Sequence, residues 1–488
     1  MSGTNEDVEF NLKVMINKQK TKVLFAEIDS DFADVLISFL TMPLGTIVRV
    51  LKKHYGEDQE TRVNIGSLTT LYDGLSNLDI DHFGTVGCKK ILLNSRSSFE
   101  AECCKLKIDI IRHSSAVSYL SCEDWNCKYR RSKISTANIT GTCRCGKSLN
   151  REVGFLEESE VGGDGTAEVF ATKKTTFLIS DNLRMVPSVA VSIMQTLTNL
   201  GITDTGGAEL RTVTFEFNEI MDLLKGSLLS RTPLSDIILE KGRVVDFGGT
   251  QNSELGVILN KMKNEETSNP KKMILRLMVQ KSNNKLLFAQ AGDDFVDFLF
   301  SFLTIPIGGV ECLLGGKTRL KSIDNLYNSI ADIDDKYMAT RDMRNRITDP
   351  KLPRGYISAN QILPLSEQTL VYYHQDFNNK KEWFSYSGRG GGQIHDMLFI
   401  KGGGNYVKQG LTMYTVSDDL TVTPLCMTSS LSILNEMKIP LSDVKEVEVQ
   451  IGVEEALSIL KASLTSTSAL TDSLMNNSML KKQPKQEH

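Results

Sequence analysis

"SFLTMPLG", residues Ser38–Gly45, returns as "SFLTIPIG" at Ser301–Gly308. The likeness extends upstream. "VLFAEIDSDFADVLISFLTMPLG" (23–45) and "LLFAQAGDDFVDFLFSFLTIPIG" (286–308) agree at more than half of their positions, including Phe25, Ala26, Asp31, Phe32, Asp34, Leu36 and Pro43. It resumes downstream at shifted offsets. "LYDGLSNLD" from Leu71 matches "LYNSIADID" from Leu326, and "ISDNLRMVP" ending at Pro187 matches "VSDDLTVTP" ending at Pro424. "LLKGSLLS" from Leu223 matches "ILKASLTS" from Ile459. Periods of roughly 20–50 residues build solenoids; a repeat this long reads as a duplicated domain.

The expected organisation follows from these anchors. Residues 8–250 are a first copy with a cysteine-rich insertion at 120–165, and 251–271 form a charged linker containing Asn269-Pro270. Residues 272–475 are a second copy in which the cysteine-rich segment is lost, and 476–488 are a polar tail expected to be disordered. The shifts in offset place extra residues of the first copy near "HYGEDQET" and between Tyr119 and Ser180, where loops absorb insertions cheaply.

Within each copy, apolar and polar residues alternate on both sides of "NKQKT" and "KSNN", the pattern of a β-hairpin. A helix should follow, with Ser30 and Asp293 as N-caps and Asp31, Asp34, Asp294 and Asp297 favouring the positive end of its dipole. Phe32, Leu36 and Phe39 share one face of that helix. Pro43 should end it, Thr41 should cap the next helix, and Gly45 should let two segments pack closely. A second hairpin, a helix, a strand and a last helix complete each copy. The fold class is α+β: two homologous domains in tandem, each a mainly antiparallel sheet packed with helices.

Composition narrows the function. The chain has 488 residues, 40% of them hydrophobic, and a formal net charge of −4, so binding of nucleic acid or membrane through overall charge is not expected. "MSGTNEDVEF" lacks the basic and apolar regions of a secretory signal, and no apolar run approaches membrane length. A cytoplasmic or nuclear protein is expected, with its nine cysteines reduced or metal-bound.

The pair "KVLFAEIDSDFADVLISFLTMPLGTIVRVLKK" and "KLLFAQAGDDFVDFLFSFLTIPIGGVECLL", with "SLTTLYDGLSNL" after the first, resembles the plant domain-of-unknown-function family 674. The resemblance covers nearly the whole chain in both copies. It implies a plant origin, a tandem architecture and paired cysteines in the region matching 122–145; it transfers no catalytic residue.

The strongest chemical signal is "CEDWNCKYRRSKISTANITGTCRCGK". Cys122, Cys127, Cys143 and Cys145 form two close pairs that can surround one tetrahedral Zn²⁺. The spacing departs from C-x2-C on both sides, so unconnected thiols and a redox disulfide stay open as readings. Four cysteines would fill the shell and leave no position for water, which makes such a zinc structural. Lys128, Arg130, Arg131, Lys133, Arg144 and Lys147 make the same loop basic, and Trp125 and Tyr129 could stack on bases. His374 and His395, in the aligned cysteine-free segment, make a poor metal site.

"GGVECLLGGKT" lacks the glycine a phosphate-binding loop needs, since Glu311 stands there. No histidine is shared by the copies, and no triad motif occurs. Cys103 and Cys104 read as buried thiols. The expectation is a non-enzymatic interaction or scaffold protein with protein partners, one structural zinc and no membrane. A nucleic-acid-binding protein using the basic loop, and an enzyme with a cleft between the copies, are the alternatives.

Overall fold

The structure, a computed structural model, describes residues 8–56, 62–108, 110–111, 119–127, 134–135, 142–153, 168–173, 175–188, 193–239, 272–368, 372–376, 381–385, 399–400, 404–410, 412–426 and 434–475. The proposed linker, the C-terminal tail and much of the basic loop lie outside them.

Strands β1 (Phe10–Ile16), β2 (Val23–Ile28), β3 (Tyr119–Cys122), β4 (Ile134–Ser135), β5 (Leu149–Val153), β6 (Phe177–Ser180), β7 (Met185–Pro187) and β8 (Glu209–Phe215) come from the N-terminal half of the chain, where the first copies of the recurring sequence segments lie. The C-terminal half, where those segments recur, supplies β9 (Met273–Gln280), β10 (Leu286–Ala291), β11 (Tyr372–Asp376), β12 (Lys381–Ser385), β13 (Phe399–Ile400), β14 (Tyr414–Val416), β15 (Val422–Pro424) and β16 (Val444–Ile451). Two five-stranded antiparallel sheets result, ordered β7-β6-β2-β1-β8 and β15-β14-β10-β9-β16. The orders correspond strand for strand. The α+β class therefore holds.

The alternation in β1 points Phe10, Leu12, Val14 and Ile16 inward and leaves Asn11 and Lys13 outside. The helix Ser30–Thr41 packs its apolar residues on that face. Its cap differs from expectation. Asp29, not Ser30, sits in the extended cap position and accepts from the Phe32 amide at 2.8 Å. In the second repeat Gly292, not Asp293, precedes the helix Asp293–Ser301.

The octapeptides form the corner after these helices. Pro43 and Pro306 precede the helices Leu44–Tyr55 and Ile307–Leu313 with φ of −60° and −62°. Thr41 does not cap the next helix: its hydroxyl donates to the Ser38 carbonyl at 2.8 Å, as Thr304 does to Ser301. These back-bonds satisfy buried hydroxyls inside the last helical turn. The two corners also meet. The Leu44 amide donates to the Ile305 carbonyl at 2.9 Å, and the Ile307 amide to the Met42 carbonyl at 3.0 Å, making a bridge between Pro43 and Pro306.

Glycine is required there by distance. A Cβ on Gly45 would stand 3.0 Å from the Leu303 carbonyl oxygen, and one on Gly308 would stand 2.8 Å from that of Leu40. A single apolar cluster runs through residues of both repeats, from Phe10 to Leu474.

Asp34 and Asp297 are buried rather than serving the helix dipole. Asp34 accepts from the amides of Phe170 (3.0 Å) and Ala171 (2.7 Å). Asp297 accepts from Tyr406 (2.6 Å) and Val407 (2.9 Å), and also from the Ser358 hydroxyl. Burial pushes Asp34 up to about 7 and raises Asp297, while the amides they hold pull the other way.

Candidate metal centre

The cysteine segment builds its own small sheet, ordered β13-β4-β3-β5. Cys122 ends β3, and the chain then turns so that the Cys127 amide donates to the Asp124 carbonyl at 3.1 Å. The second pair sits in a tight turn closed by a bridge between Thr142 and Ser148. There Gly146 adopts φ +85°, a conformation that favours glycine, and donates to the Cys143 carbonyl at 2.9 Å. Glu123 donates to the Ser148 carbonyl at 2.9 Å and joins the two turns.

All four cysteines come together. Their sulfurs lie within 4.8 Å of one another, with Cys122–Cys145 and Cys127–Cys143 each at 3.6 Å. Tetrahedral zinc with Zn–S bonds of about 2.3 Å needs sulfurs separated by roughly 3.8 Å, so the cage has the right size. The backbone amides of Asp124 and Lys147, each two residues beyond a cysteine, hydrogen-bond the sulfurs of Cys122 and Cys145. Such bonds stabilise thiolate, the form that binds metal. Burial raises the Cys122 thiol far above its usual range, against the help of the Asp124 amide. The Lys147 amide holds exposed Cys145 down at about 7.

Three of the four cysteines are buried in a small cluster. Among the described residues, Leu120 and Leu149 are the aliphatic residues clustered with Cys122, Cys127 and Cys143, and that cluster is separate from the main core. Residues the sequence reading passed over complete the setting. The Arg151 guanidinium lies 4.4 Å over the Trp125 ring, and its Nε donates to the Cys122 carbonyl at 3.0 Å. One ring face of Trp125 is therefore taken. Phe399–Ile400 of the second repeat pair in parallel with Ile134–Ser135.

The basic loop divides. Lys128, Arg130, Arg131 and Lys133, with Tyr129, lie outside the described residues. Arg144 is exposed. Lys147 reaches Asp124 at 2.9 Å. His395 and the glycine run 388–392 also lie outside, and His374 falls in β11. Of the adjacent pair, Cys103 is buried as expected, but Cys104 is exposed because it caps the end of the short helix Glu100–Cys103. Among the described residues, no other group of three or more ligating side chains converges, and no helix is long and apolar enough to cross a membrane.

Fold and site together define an α+β protein with repeated sheets and a four-cysteine turn module. The chain belongs to the family described as "Protein of unknown function (DUF674)", whose model matches residues 6–454. No curated protein and no solved structure matches it.

Proposed function

We propose that this is a non-enzymatic interaction or scaffold protein of the cytoplasm or nucleus, carrying one structural Zn²⁺ on Cys122, Cys127, Cys143 and Cys145. The observation that carries the metal is the convergence of four sulfurs within 4.8 Å, two of them receiving backbone amides. When bound, zinc supplies four bonds that tie β3 to the turn at 142–148. With all four positions held by sulfur, the ion has no open site for water, so the role is architectural.

The buried acids support the non-catalytic reading. Asp34, Asp181 and Asp297 are spent on backbone amides and hydroxyls that hold loops to the sheets. Function then resides in surfaces that engage protein partners, first at Cys122–Lys147, where the repeats differ. Metal analysis of purified protein tests the reading. One zinc per chain, lost in Cys143→Ser/Cys145→Ser, is the expected result; folded, zinc-free wild type overturns it.

A further inference from the structure

Several contacts between the repeats come in matched pairs. Ser67 Oγ donates to the Ser466 carbonyl at 2.6 Å, and its counterpart Ser322 donates to the Ser230 carbonyl at 3.0 Å. Thr70 Oγ1 donates to the Asp419 carbonyl, and its counterpart Asn325 donates through Nδ2 to the Asn182 carbonyl at 2.9 Å. The helix Leu68–Asn77 of the first repeat packs on β15 of the second, while Lys321–Asp332 of the second packs on β7 of the first. The helix each repeat makes after its corner thus covers the other repeat's sheet.

The loops held by the buried aspartates are exchanged in the same way. Phe170, anchored by Asp34, accepts from Ala339 at 2.8 Å, and Thr172 donates to Tyr337 at 3.0 Å. Tyr406, anchored by Asp297, accepts from Gly84 at 2.9 Å, and Lys408 donates to His82 at 2.9 Å. The bridge between Pro43 and Pro306 stands at the centre of this arrangement.

We propose that the two repeats are interlocked, each presenting a surface that fits a second copy of the repeat, so that the chain folds as one cooperative pseudo-dimer. These bonds are reciprocal and two identical repeats could satisfy them, whereas others are particular to this pair: the Met185 amide donates to Ser329 Oγ at 3.0 Å, and Gly74 stands at the counterpart of Ser329. The partner this surface accepts is therefore another repeat of the same kind. The octapeptide is constrained twice over, as the turn of its own repeat and as half of the central contact. Cutting the connection between repeats should leave them joined.

Full-length protein with a specific protease site inserted between 251 and 271 provides the test. After cleavage, the halves are expected to co-elute at the size of the intact chain. They should unfold in one transition whose midpoint now rises with protein concentration, as for any associated pair. In the cleaved protein, Gly45→Leu/Gly308→Leu, which drives side chains into facing carbonyls, should bring the midpoint down and dissociate the halves on dilution. Separate elution of the cleaved wild-type halves, or two transitions with one half folded after the other melts, overturns the proposal.

Discussion

Replacing Glu311 by Gln should remove a pH dependence from the stability of this protein. Glu311 lies on the helix Ile307–Leu313 and is 0% exposed. Its Oε1 is 2.7 Å from the Thr318 hydroxyl, which is also 2.7 Å from Asp324 Oδ1. One hydroxyl proton serves only one of these contacts, so the other requires a proton on a carboxyl group. Burial places it on Glu311, whose pKa is raised well above 4.5, with the charge of Asp324 acting in the same direction and Lys461 opposing. Lys317 and Arg319 stand near Lys461 on the preceding loop. Counterpart positions in the first repeat are Val48 and Val63, both buried, so the fold itself does not demand an acid here.

The sign follows from linkage. Below the ordinary glutamate value both states carry the proton, and the stability contribution is whole. As pH rises above 4.5 the unfolded chain releases it while the folded chain keeps it, so stability falls until the folded pKa is passed. One proton corresponds to about 1.4 kcal/mol per pH unit inside that window. Glu311→Gln keeps the shape and the Thr318 bond without titrating. Urea unfolding of both proteins at pH 5, 6 and 7 should show the wild type losing ground to the variant by that slope. Parallel pH profiles would refute the reasoning, because Glu311 would then be ionised in the folded state or unperturbed.

Gly308→Ala should destabilise the fold by about 1–3 kcal/mol, since its Cβ would sit 2.8 Å from a backbone oxygen that cannot move cheaply. The usual gain of about 0.5–1 kcal/mol from Ala over Gly in a helix is the smaller effect, so denaturant midpoints should fall. Asp297→Ala should cost about 3–5 kcal/mol by leaving the Tyr406 and Val407 amides without an acceptor in the core. Asp297→Asn retains an acceptor oxygen and should lose less than half as much in the same unfolding experiment.

Local structure was largely legible in the chain. Period-two alternation located the hairpins, and the proline of the octapeptide located the corner. The repeated hydrophobic pattern reproduced the correspondence of the two sheets. The paired cysteines identified the groups that converge, because close pairs on short turns have few other arrangements.

What escaped the reading depends on partners far along the chain. Asp34 and Asp297 look like helix-start acids, yet each holds backbone amides more than a hundred residues away. A backbone donor has no side-chain signature, so sequence cannot announce it. The same holds for the corner. "SFLTMPLG" and "SFLTIPIG" read as equivalent positions, and nothing in either string says that they touch. The pairing of Phe399–Ile400 with the cysteine module was hidden for a further reason: the segment of the second repeat aligned with that module has no cysteine to suggest that it takes part.

The central claim is the metal. X-ray absorption at the zinc edge, on protein purified without added chelator, examines it most directly. The account predicts one zinc per chain surrounded by four sulfur neighbours at about 2.3 Å, with no oxygen or nitrogen in the shell. A shell of nitrogen and oxygen, or four sulfurs that persist in Cys122→Ser/Cys145→Ser, would contradict it.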